Sequence, residues 1–110
     1  MAYTYRNIGI EVIRGDSFEH GFKVTGIDLT GATAKAEIRT FSDRELKLGF
    51  DTQGGSISID GEFVTFRKTA VEMGVLGVGK YQYDVQFTLQ DASVVTAFGG
   101  SFTVKQDITQ

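Results

Sequence analysis

From Ile8 onward, apolar residues return at every second position in almost every segment, the period of a strand with one buried face. A chain patterned this way folds as β-sheet. The longest run sets Tyr81, Tyr83, Val85, Phe87 and Leu89 against Gln82, Asp84, Gln86, Thr88 and Gln90 without an error. Ile8, Ile10 and Val12 begin the series, Phe18, His20, Phe22 and Val24 continue it, and Leu46, Leu48 and Phe50 form a later member. Ala32, Ala34, Ala36 and Ile38 would suit a helix by propensity, but their alternation with Thr33, Lys35, Glu37 and Arg39 decides for a strand. Small alanines on an inner face need bulk opposite them, and nine phenylalanines supply it. With 14 glycines and no proline, the turns must rest on Gly, Asp, Asn and Ser.

Side-chain matching fixes several registers. In the segment from Ser56 to Phe66, a Gly61-Glu62 loop sets Ile59 against Val64, Ile57 against Phe66 and Ser58 against Thr65. An Asp60-Gly61 loop would oppose Ile59 to Glu62, so Gly61 is expected as the first central residue of a type II′ turn. A four-residue loop, Gln90 to Ser93, brings Leu89 opposite Val94, Val85 opposite Phe98, Tyr83 opposite Gly100 and Tyr81 opposite Phe102. A three-residue loop, Gly15-Asp16-Ser17, with Arg14 opposite Phe18 would pair the first two strands with Ile10 facing Phe22; the pairing lapses if the first strand joins the other sheet. Thr69-x-x-Glu72 spells a capping box, predicting one or two helical turns that stop at Gly74.

Seven or eight strands with a turn signal about every ten residues predict an all-β, antiparallel, immunoglobulin-like β-sandwich with one short helical turn near 69–74. The 110 residues fit one domain: an N-terminal arm over 1–7, the sandwich over 8–106 and a tail over 107–110. Leu, Ile, Val and Phe account for 32 residues, enough for a core. Cysteine is absent, which excludes disulfides, thiolate metal sites and cysteine nucleophiles. A net charge of −3 with dispersed basic residues speaks against nucleic acid, and no apolar run reaches a membrane span or a signal-peptide core. A soluble product is expected.

No catalytic, cofactor or metal site is expected. His20 is the only histidine; between Phe18 and Phe22 it reads as a core or sheet-edge residue, since no nucleophile and orienting carboxylate accompany it. Arg14-Gly15-Asp16 spells an integrin-recognised tripeptide, yet a tight turn asks for the same residues. Asp51, Asp60, Glu62 and Asp91 lack the spacing of a calcium loop, and the glycines of Gly74 to Lys80 lack that of a phosphate loop. Tyr3, Tyr5 and Arg6 lie outside the alternating core and belong to types enriched at interfaces, which makes them the candidate partner contact.

Four strings carry a resemblance: Val12 to Phe18, Ile27 to Arg39, Thr69 to Thr88 and Gly100 to Thr109. Together they resemble the small immunoglobulin-like domains of tailed bacteriophages, similar to the N-terminal domain of phage baseplate upper proteins and its stand-alone relatives. In that family an Arg-Gly-Asp followed by Ser or Thr and Phe opens a strand, as Arg14 to Phe18 do here, and Asp28 to Arg39, Lys80 to Val85 and Gly100 to Val104 match further segments. Family members often carry Pro near the position of Gly77 and an acidic-Gly hairpin where this chain has Asp91-Ala92-Ser93. The resemblance implies a virion structural protein made in the host bacterial cytoplasm, a non-enzymatic adaptor or decoration subunit of a tail, baseplate, fibre-attachment, neck or capsid assembly. Its partners would be other phage structural proteins in a symmetric assembly, and it implies no cofactor. Sandwiches also present faces to sugars, so the alternative is a carbohydrate or host-surface binding module of a phage tail.

Overall fold

The computed structural model of the chain describes residues 5–106. The strands are β1 (Arg6–Asn7), β2 (Ile10–Ile13), β3 (Phe18–Lys23), β4 (Thr33–Thr40), β5 (Leu46–Asp51), β6 (Ile57–Asp60), β7 (Phe63–Lys68), β8 (Gly79–Thr88) and β9 (Val94–Lys105), with helix α1 (Ala70–Met73) between β7 and β8. They form an all-β sandwich of two sheets. The small sheet runs β3-β7-β6; the large one runs β5-β4-β8-β9, with β1 and β2 along the outer edge of β9. This is the strand partition of an immunoglobulin-type sandwich in which the leading strand has crossed to the larger sheet.

That crossing corrects the expected pairing of the first two strands. β2 runs parallel to β9, with Ile10 opposite Phe102 and Ile13 opposite Lys105, and does not pair with β3. The turn after Ile13, where Gly15 has φ 96° and Asp16 N–H donates to Ile13 O at 3.2 Å, carries the chain between the sheets. The 12-residue β9 otherwise presents an unpaired edge, and β1 and β2 cover it. Ile10 is still buried, because either sheet gives its strand an inner face. Counting the two-residue β1, the described residues form nine strands, one more than the expected maximum, and pairing is antiparallel except at β1 and β2.

Two registers follow the side-chain matching. Ile59 faces Val64 and Ile57 faces Phe66 across the β6–β7 hairpin, and Gly61 has φ 61°, a backbone that its missing Cβ permits. Val85 pairs with Phe98, Tyr83 with Gly100 and Tyr81 with Phe102. Beyond Val85 the expected alignment fails: Thr88, not Leu89, faces Val94, because Ala97 is an extra residue in β9 and shifts the register. Val94 is consequently 60% exposed while Ala97 is buried.

The core is a block of aromatic rings from both sheets. Phe22 of the small sheet lies 4.6 Å from Phe98 of the large one, Phe18 lies 5.6 Å from Phe102, and Phe66 lies 5.8 Å from Phe50. Ala36 sits between Phe50 and Val85 in register, so its small side chain leaves room for the neighbouring rings. Tyr83, Val85, Phe87, Phe98 and Phe102 all join this cluster. His20 lies on the same side, 6.1 Å from the Phe18 ring and 4.5 Å from the Phe22 ring, but on the outer strand β3 it is solvent-exposed.

Thr69 and Glu72 form the capping box, each side chain accepting from the other's backbone N–H, at 3.1 and 2.9 Å. α1 ends at Gly74, whose backbone stays right-handed; Met73 of the helix and Leu76 in the turn after it are buried in the core. At the start of β8 the Tyr81 hydroxyl donates to Gly77 O at 2.8 Å, a tyrosine corner closing the β7–β8 connection.

Candidate functional site

The face of the large sheet turned away from the core holds an open groove of about 450 Å³. Its floor is made by outward residues of three neighbouring strands: Glu37 and Arg39 of β4, Gln82 and Asp84 of β8, and Ser101 of β9. One wall is the N-terminal segment with Tyr5 and Asn7; the other is the β4–β5 turn with Phe41 and Arg44.

Each wall is fixed by residues beneath it. Ile8 N–H donates to Gly99 O at 2.7 Å, and the Tyr83 hydroxyl donates to Ile8 O at 2.7 Å. A Cβ on Gly99 would collide first with Tyr83 O and the Asp84 Cα of β8 and also meet the Tyr5 hydroxyl, and one on Gly100 would stand 2.7 Å from Ile8 O and 2.6 Å from Asn7 Oδ1. Gly99 thus lets β8 approach closely, and Gly100 leaves the space in which the N-terminal segment lies. On the other side, Arg39 Nη1 donates to Arg44 O at 2.9 Å while Nη2 pairs with Glu37 Oε1 at 2.8 Å. Gln82 Nε2 donates to Thr40 O at 3.2 Å, and Thr40 Oγ1 and Asp43 Oδ1 close the turn at 2.7 Å. Arg44 is held at φ 56°, a left-handed conformation costly for a residue with a Cβ.

Electrostatically, the groove as a whole is balanced, Arg39 and Arg44 offsetting Glu37 and Asp84. Glu37 and Asp84 stand directly opposite each other across β4 and β8, a like-charge pairing that weakens a sheet. Arg39 neutralises Glu37, whereas Asp84 has no ion pair among the described residues. Partial burial, and then the Asp84 charge, raises the Tyr5 hydroxyl above the usual tyrosine range. Burial raises the Tyr83 hydroxyl further, with Tyr5 adding to it.

Of the residues singled out by type, Tyr5 forms part of this groove and is 50% exposed. Arg6 pairs with Phe98 as the first residue of β1 and is exposed, so the arm is bonded to the sheet edge from there on. Tyr3 lies outside the described residues. The floor residues had no signal of their own, being the polar half of ordinary strand alternation; only the pairing of β4 with β8 sets two carboxylates face to face.

A second surface lies at the end of the sandwich where β8 begins. The registers place Ile13 beside Lys105, Val78 next to the Gly79–Val104 pair, Phe41 just past the Thr40–Tyr81 pair, and Leu46 against Arg39. Val71 and Val75 belong to the β7–β8 connection at this end. These six are among the nine exposed large hydrophobics of the described residues, and Val71 is 87% exposed. Among the same residues, no helix is long and apolar enough to cross a membrane.

The chain matches no protein-family profile and no curated protein. Among solved structures it is similar in fold to a protein of Bacteroides vulgatus ATCC 8482 described as a "putative glycoside hydrolase". The two share 20% identity at a TM-score of 0.54, over 91% of this chain and 17% of that one. At that identity the likeness is one of fold, and the chain spans less than a fifth of the other protein's length.

Proposed function

We propose that the chain is a non-enzymatic structural subunit of a tailed-phage particle, an adaptor or decoration that works by docking onto another protein of that particle. The observation supporting the docking mode is the apolar end of the sandwich. Val71, Val75 and Val78 leave 87%, 58% and 51% of their surface to water within eight residues of chain. Contiguous exposed apolar surface is characteristic of protein interaction sites. The phage setting comes from the resemblance of Val12 to Thr109, and its test is mass spectrometry of purified particles. Absence of the chain from those particles ends the reading. Replacing Val71, Val75 and Val78 together by Ser should leave the Tm nearly unchanged and abolish incorporation. Removing Met1 to Arg6 tests the arm by incorporation alone, because it also takes Arg6 out of β1.

A second reading, binding of carbohydrate on a host surface, is favoured by one feature: the polar groove has a half-exposed aromatic ring on each wall, Tyr5 and Phe41.

A further inference from the structure

We propose that the groove on the outer face of the large sheet binds a neutral oligosaccharide, the Tyr5 and Phe41 rings covering sugar faces while Glu37, Gln82 and Asp84 bond to hydroxyls. The inference deepens the carbohydrate reading and rests on it, not on the docking reading.

Its volume, about 450 Å³, falls within the range of small-ligand sites. The composition then narrows the ligand. Two carboxylates, Glu37 and Asp84, offset two guanidinium groups, Arg39 and Arg44, so the site does not select a polyanion as a phosphate-binding surface does. The polar floor offers little to a purely apolar molecule. An extended peptide gains affinity by adding to a strand edge, but β4 and β9 are both paired to β8, and the floor has no such edge. A ligand here is held by side chains alone. A sugar suits that arrangement: its hydroxyls donate to carboxylates and accept from an amide, and its C–H faces pack on aromatic rings.

The built features fit the same occupant. Asp84 faces Glu37 at a cost to strand pairing and has no ion pair among the described residues, so one carboxylate keeps its accepting capacity. Arg39 is a positioning residue: it orients Glu37 and ties down the turn that carries Phe41. Gly100 leaves room for the backbone of Ile8 beneath the opposite wall.

The test is an NMR titration of the labelled chain with three neutral trisaccharides, cellotriose, chitotriose and maltotriose. At least one should shift the amides of Gln82, Asp84 and Ser101, and Asp84→Ala and Phe41→Ala should each weaken that binding by about tenfold or more with the Tm kept. Phe63→Ser, on β7 of the small sheet and exposed, serves as the remote control and should leave the affinity unchanged. The proposal is overturned if none of the three shifts groove amides at millimolar concentration, if the shifts map elsewhere, or if a sulfated trisaccharide binds there more tightly than the neutral ones. Sugar binding and particle incorporation are separate readouts, so either reading can fail while the other stands.

Discussion

Ala92 occupies left-handed backbone at φ 72° in the β8–β9 loop, where its N–H donates to Leu89 O at 2.8 Å. Asp91 Oδ1 accepts from the Ser93 N–H at 3.0 Å and closes the same loop. An L-residue with a Cβ loses about 1–2 kcal/mol in that conformation, and glycine loses none of it, although its freer unfolded chain returns about 0.4–1 kcal/mol. Ala92→Gly should therefore raise stability by up to about 1 kcal/mol, seen as a Tm gain of a few degrees in thermal unfolding. Val85 sets the opposite limit: it is fully buried between Ala36 and Phe98, with no group nearby to receive a charge. Val85→Asp costs several kcal/mol, on the order of the whole stability of a small domain, and should give insoluble chain with no cooperative melt. A soluble variant with the parent Tm refutes this placement of the core.

Strand-level matching was legible wherever two strands are local neighbours joined by a short turn. Ile59 against Val64 and Val85 against Phe98 follow from side-chain complementarity alone, since a one-residue slip would turn each inner face outward. The pairing of β2 was not legible, because an amphipathic strand after a Gly-Asp turn serves either sheet equally well; the open edge of β9 decides, and it is distant in sequence. The bulge at Ala97 escaped for a related reason: an inserted alanine keeps the segment apolar and leaves no break in the pattern. The tyrosine corner did have a signal, a Tyr at the start of the eighth strand four residues after Gly77. At the β7–β8 connection the capping box read from Thr69 and Glu72 is formed. Thr69→Ala unpairs an N–H at the start of α1 and should lower stability by about 1 kcal/mol, measured by denaturant unfolding, with the sheet registers unchanged.

The candidate groove needed the whole molecule to assemble, since its parts come from residue 5, β4, the β4–β5 turn, β8 and β9. Residue type pointed to Tyr5 alone, and the carboxylates became a pair only once β4 lay beside β8. The charge distribution also sets the response to pH. Asp28, Asp43, Glu72 and Asp91 have carboxyls held below their ordinary values, 3.8 for Asp and 4.5 for Glu, chiefly by hydrogen bonds from neighbouring backbone and hydroxyl groups. Their contribution is present above those values and is lost as pH falls, because the unfolded chain takes up protons first. Tyr83 has the reverse sign. Its folded-state value is raised by burial, so its stabilising effect is complete below the ordinary tyrosine value of 10.0 and disappears as pH rises above it. Tyr83→Phe removes that ionisation along with the hydrogen bond to Ile8 O at 2.7 Å. Below pH 9 the variant should melt lower than the parent, by the order of one hydrogen bond, about 1 kcal/mol. Above pH 10 its Tm should fall less steeply than the parent's, while the acid limbs of the two proteins run parallel. Equal alkaline slopes would show that the Tyr83 hydroxyl is not what the fold keeps neutral.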